Sequence, residues 1–288
     1  MTIVDPNLLD FYRQQGPMSD PGKYAGLMAG LPTDLASLCR VVQHNLIHVF
    51  WAEKYGRNLS NEEKGPLNLR RLSHKLALAR QIDGRPLVNE RPVEKRQVGN
   101  CRDYSLLLTA FLRQQGVAAR ARCGFGAYFL PNHYEDHWVC EYWNSQEGRW
   151  VLVDAQLDGL QRKAMSIPFD PLDVPRDQFI VAGQAWQMCR AGEADPTQFG
   201  VLNMNGWWFI WGDVARDFLS LNKVTILAWD HEVSVFTHKL EDPPPEDPEE
   251  LTFLDRIAAL TLSGDPGFDA IRTEFEHPRW KTPREWYE

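Results

Sequence analysis

No stretch of this sequence approaches the roughly 18 consecutive apolar residues that a membrane-spanning helix requires. The opening, MTIVDPNLLDFYRQQ, also lacks the basic segment and apolar run of a secretory leader. The default compartment is therefore the cytoplasm, and a membrane is not an expected partner. Cysteine is scarce: five residues, an odd number without paired local spacing, exclude a disulfide framework and agree with a reducing interior. Positive charge is in deficit, with 31 Lys and Arg against 39 Asp and Glu and a formal net charge of −8. That balance argues against nucleic acid or an anionic membrane as a general partner, and the one basic cluster, LRRLSHKLALAR, reads as a solvated helix face. Internal repeats and low-complexity arrays are missing too. What remains is 288 residues, 43% of them hydrophobic, enough to bury a sizeable core.

Helical periodicity comes first along the chain. PTDLASLCRVVQHNLIHVFWAEKYG, Pro32 to Gly56, offers Thr33 or Asp34 as N-cap and Gly56 as stop, and Leu35, Leu38, Val42, Leu46 and Val49 predict one long helix. A second helix is expected within Leu67–Ile82, after the capping-box candidate Ser60–Glu63. A third runs from Cys101 to Gln115, with Gly116 as left-handed stop. From Val117 to Asp154 the pattern alternates, which predicts an antiparallel meander. VPRDQFIVAGQAWQMCRAG reads as helix-rich, MNGWWFIW as an aromatic core cluster, and DVARDFLSLN as a further helix. EDPPPEDPEE reads as a solvated linker, and at most two short helices follow it.

Cys101 opens its helix, where unpaired N–H groups and the positive end of the helix dipole favour thiolate over thiol. A nucleophile also needs a base and a group to orient that base. The meander supplies both. With Ser145 and Gln146 at the loop centre, His137 falls opposite Asp154, close enough for a carboxylate to reach an imidazole nitrogen. His133 and His137 have a zinc-like spacing only on a helix, and the alternation around them makes His137 a strand residue, so no metal is expected. Cys39, Cys123, Cys140 and Cys189 lie on apolar patterns and read as packing. His44 and His48 read as core or pocket-lining residues. For an oxyanion hole, the Cys101 main-chain N–H is the first donor, and the side-chain amides of Asn100, Gln97 and Gln43 are candidates for the second. Trp138, Trp207 and Trp208 are candidates to line a substrate cleft.

Helix-borne Cys, strand His and strand Asp, carried by GNCRDYS, LRQQGVAARARCGFG, DHWVCEYW and RWVLVD, resemble the transglutaminase-like superfamily in a stand-alone, bacterial-type form. The resemblance covers about Gly99–Asp158. It implies a papain-like α+β fold, helices packed on an antiparallel sheet with helical additions at both ends, and a triad of Cys101, His137 and Asp154. On this reading residues 1–240 form one domain, with a core of about 33–160 and a helical, aromatic extension over 161–240. Residues 241–250 form an acidic linker and 251–288 a short helical tail. The length leaves no room for the flanking β-domains of animal transglutaminases, no acidic loop has calcium-binding spacing, and Arg102 stands where those enzymes have tryptophan. Cross-linking and calcium are therefore not carried over, and no cofactor is expected. The expected function is thiol-dependent acyl transfer on an amide or ester of a peptide or small molecule, ending in transamidation or hydrolysis. The alternative is a non-catalytic module that uses the same cleft for binding.

Overall fold

The computed structural model describes residues 5–230, 233 and 247–288. In chain order these form α1 (Pro6–Arg13), α2 (Leu35–Asn45), β1 (Leu46–His48), α3 (Leu72–Ile82), β2 (Gln97–Gly99), α4 (Cys101–Gln114), β3 (Ala119–Leu130), β4 (His133–Asn144), β5 (Arg149–Val153) and α5 (Gly159–Ala164). Then come β6 (Phe179–Val181), α6 (Ala182–Arg190), β7 (Phe199–Val201), β8 (Met204–Asn205), α7 (Trp207–Leu221), α8 (Pro248–Leu262) and α9 (Phe268–Phe275), with short 3-10 turns between several of them.

Helix α4 is the hub. A reciprocal capping box starts it: the Asn100 side chain accepts from the Asp103 N–H, and the Asp103 carboxylate accepts from the Asn100 N–H. Gly116, at φ +75°, lets the chain turn away after it. Every residue from Arg102 to Arg113 is buried. Leu106, Leu107, Leu108, Phe111 and Leu112 supply the apolar bulk, each worth about 1.5–3 kcal/mol on burial.

Strands β3 and β4 form a long hairpin whose faces are covered by α4 and α7. Its two-residue turn places Asn132 at φ +54°, a conformation asparagine tolerates. The six-stranded sheet runs β6-β3-β4-β7-β8, with β5 also on β4. It is mixed rather than purely antiparallel, because β7 pairs with β4 in parallel at Tyr134↔Phe199 and Glu135↔Gly200. On the sheet, Arg122 holds both oxygens of the buried Asp217 of α7 and also Glu141 of β4.

The expected long helix from Pro32 stops at Asn45. Asp34 caps it by accepting from the Ser37 N–H. Leu46–His48 then leave the helix to pair in parallel with Gln97–Gly99, which satisfies both backbones in the extended form. That small pair delivers the chain to Cys101. The aromatic cluster and the helix predicted after it fuse into α7. Residues 241–246 of the expected linker lie outside the described residues, but its end is helical: Asp247 caps α8 and the helix begins at Pro248. The segment after it is no appendage, since Leu254, Ile257, Trp280 and Trp286 belong to the main core. Gly183 of α6 allows the close crossing, as a Cβ there would lie 2.5 Å from the Ala258 carbonyl of α8.

Candidate active site

Cys101, the first residue of α4, and His137 of β4 line one cleft of about 280 Å³. His137 Nε2 lies 2.8 Å from Asp154 Oδ2, and both side chains are buried. With Nε2 engaged, Nδ1 is the nitrogen left to serve the thiol. Asp154 is held in turn. The Tyr128 O–H donates to its Oδ2 at 2.7 Å and the Gln156 N–H to its Oδ1 at 3.0 Å. Three partners, His137, Tyr128 and the Gln156 N–H, fix this carboxylate in place, as the orienting member of a Cys-His-acid set requires. Phe129 and Tyr128 meet the imidazole edge-on, with ring centroids 4.8 and 5.9 Å away.

The register that places these residues differs from the sequence expectation. Cys140 pairs with Val153 and Asn144 with Arg149, so the connecting loop is Ser145–Gly148 and the pairing is offset by two residues. An even offset keeps every side chain on its face, whereas an offset of one would invert them. His137 and Asp154 therefore stand on one face as diagonal rather than direct neighbours, and the hydrogen bond survives.

A second expectation fails. Burial pushes the Cys101 thiol well up, the Asp136 carboxylate adds to that, and the main-chain N–H groups of Trp138 and Arg102 pull the other way without reversing it. The helix terminus alone does not make a thiolate here. Cys101 nevertheless differs from the other four cysteines in being partly exposed. Close by, Cys123, Asp136 and Asp213 present one ligand atom each within 4.8 Å of one another. The Cys123 thiol serves Asp213 as a hydrogen-bond partner, and Arg216 Nη1 lies 3.1 Å from Asp213 Oδ1. A half-buried and a buried carboxylate beside one guanidinium share a proton more readily than they both ionise. Burial pushes Asp136 up to about 6 and Asp213 well above the usual range.

Of the three amides proposed as oxyanion donors, only Asn100 lines the cleft. Gln97 turns inward and donates to the Lys75 carbonyl, and Gln43 donates to the Ala155 carbonyl. Both were proposed from proximity in sequence or on a helix face, which does not fix side-chain direction. Trp138 lines the cleft, but Trp207 and Trp208 do not: Trp207 packs edge-on against Trp186, and Trp208 against Phe209. The cleft takes His48, read from the sequence as a core or pocket-lining residue, and also Trp51, Trp229, Phe50, Gln156, Leu202 and Met204, which carried no motif. Arg102 faces inward, donating to the carbonyls of Arg70 and Thr225. A wider hollow of about 460 Å³, bounded by Arg57, Glu63 and Pro66, shares none of the Cys, His and Asp residues above.

A cysteine at a central helix start, packed on a sheet that carries the histidine and the acid, defines a papain-like α+β core. Residues 82–155 match the model of the transglutaminase-like superfamily. Among solved structures, the chain is similar to one described as "a Putative Cysteine Protease from Cytophaga hutchinsonii", at 16% identity and a TM-score of 0.36. The similarity covers 63% of this chain and 50% of that one, so this chain spans about half the length of that relative. No curated protein matches the sequence. No helix among the described residues is long and apolar enough to cross a membrane.

Proposed function

We propose that the protein is a cysteine acyltransferase or hydrolase acting on an amide or ester carbonyl of a peptide or small molecule. The observation that carries this reading is the buried 2.8 Å pair of His137 and Asp154 in the cleft that Cys101 opens onto. His137 Nδ1 takes the thiol proton as sulfur attacks the carbonyl carbon. Because the free thiol is held protonated, deprotonation accompanies attack instead of preceding it. The developing oxyanion faces the Cys101 main-chain N–H and the Asn100 amide. The imidazolium then returns its proton to the departing amine or alcohol, leaving an acyl-enzyme that water or an amine resolves. Asp154 keeps Nε2 protonated and stabilises the imidazolium throughout.

Intact-mass analysis after mixing with simple thioesters and amides tests this. A covalent acyl adduct is expected in the wild type and should be lost in Cys101→Ala and His137→Ala. No adduct from any donor, in protein whose melt is intact, would favour the binding-module reading.

A further inference from the structure

The walls of the cleft are unusual for this molecule. Of its eight exposed large apolar side chains among the described residues, four line this one cleft: Phe50, Leu202, Met204 and Trp229, at 63, 73, 42 and 42% exposure. Concentration of exposed apolar surface marks a binding site, where scattered single residues would not. Among the described residues no Lys or Arg lines the cleft, whereas Glu135 and Asp136 do. His48 adds no positive charge, since burial and the neighbouring His137 push it down to about 3.

Leu202 provides an independent sign. It sits in the two-residue connection between β7 and β8, where Val201 pairs with Met204, at φ +56°. That left-handed conformation suits Gly, Asn or Asp and disfavours a bulky side chain. A leucine there gains no compensating burial. Strain of this kind persists where function requires the side chain.

Resting on the acyl-transfer reading, we propose that the cleft selects acyl donors whose acyl group is bulky, apolar and uncharged, gripped between Phe50 and Trp51 after β1 and Leu202 and Met204 of the β7–β8 hairpin. An acyl group bearing a carboxylate meets Glu135 and Asp136 and finds no Lys or Arg among the described lining residues. In the acylation step the Cys101 sulfur forms a bond to the carbonyl carbon and the carbon–leaving-group bond breaks. The departing group takes the proton that His137 removed from the thiol.

Three thioesters of one leaving thiol test the proposal: acetyl, 3-phenylpropanoyl and succinyl. Single-turnover acylation of the full chain is followed by intact mass, and each rate is divided by that with free N-acetylcysteine to remove intrinsic reactivity. The phenylpropanoyl donor should exceed acetyl by about tenfold or more, and succinyl should fall below acetyl. Leu202→Asn, which suits the left-handed position, should lower the phenylpropanoyl-to-acetyl ratio about tenfold while Tm holds or rises. Equal normalised rates, a preference for succinyl, or an unchanged ratio in Leu202→Asn would overturn the proposal and leave acyl transfer standing. Absence of any adduct would overturn both.

Discussion

At the scale of single residues, the thiol's surroundings set the expected chemistry. Burial and Asp136 hold Cys101 protonated, yet it is the one cysteine not fully buried. It should therefore be the first of the five to react with iodoacetamide, with a rate that climbs as pH rises above neutrality instead of being high at pH 6. Peptide mapping across that range checks this, and preferential labelling of Cys39 or Cys123 would count against it. Asp154→Asn should preserve the melt but slow single-turnover acylation, by a factor that can reach ~10⁴ in other triads. Asp136 makes a separate, signed prediction. Its folded-state value of about 6 stands above the ordinary carboxylate value, so the folded protein binds the extra proton and stability from this group declines as pH rises from about 4 to about 6. Asp136→Asn removes that decline. Its Tm relative to wild type should rise between pH 4 and pH 7, and a flat difference would show that Asp136 titrates normally.

At the scale of elements, what could be read in advance was what local patterning controls. The extent of α4 was legible because its apolar period from Cys101 and the left-handed stop at Gly116 are set by neighbours in sequence, whereas the Asn100–Asp103 capping box that starts it is a finding of the structure. The His137–Asp154 pairing was legible for a different reason: side chains alternate with period two, so a register misjudged by two residues still put both on one face. Leu46–His48 were not legible, because a helical apolar period runs through them and only a partner 51 residues on, at Gln97–Gly99, makes the extended form preferable. Gln97, Gln43, Trp207 and Trp208 were misplaced likewise, as their side-chain directions depend on tertiary neighbours, whereas Asn100 and Trp138 do line the cleft. Strand β6 shows how tightly such neighbours constrain the sheet. A Cβ at Gly124 would stand 2.3 Å from the Ile180 carbonyl. Gly124→Ala should therefore separate β6 from β3, at about 1–3 kcal/mol by denaturant melts.

At the scale of the whole molecule, the buried ion network ties sheet and helices together. Arg122 binds Asp217 in bidentate fashion at 2.9 and 2.8 Å and reaches Glu141 at 3.1 Å, and Arg120 joins Glu141 at 2.7 Å. Burial alone would raise Glu141, but Arg120, Arg122 and Arg176 outweigh it and hold the carboxyl well below its ordinary range. A depressed carboxyl contributes stability above about pH 4 and loses it as pH falls further. Arg122→Ala strands Asp217 in the interior, so it should lower stability by about 3–5 kcal/mol and Tm by on the order of 10 °C. A change within 2 °C would show that the network is not what secures α7.

The burial of α4 reaches beyond its role as a platform. Its amides from Arg102 to Arg113 are sheltered on all sides, and the Arg102 guanidinium fastens the helix start to the Arg70 and Thr225 carbonyls from two distant parts of the chain. Such amides should exchange with deuterium only when the whole structure opens, whereas the exposed turn of the β7–β8 hairpin at the cleft rim should exchange through small local openings. The nucleophile is thus mounted on a helix expected to exchange slowly and faces a rim expected to exchange quickly. Slow exchange along α4 with rapid exchange at Leu202 and Asn203 would mean that adaptation to substrate is confined to the rim, and that heat abolishes activity only at the global melt.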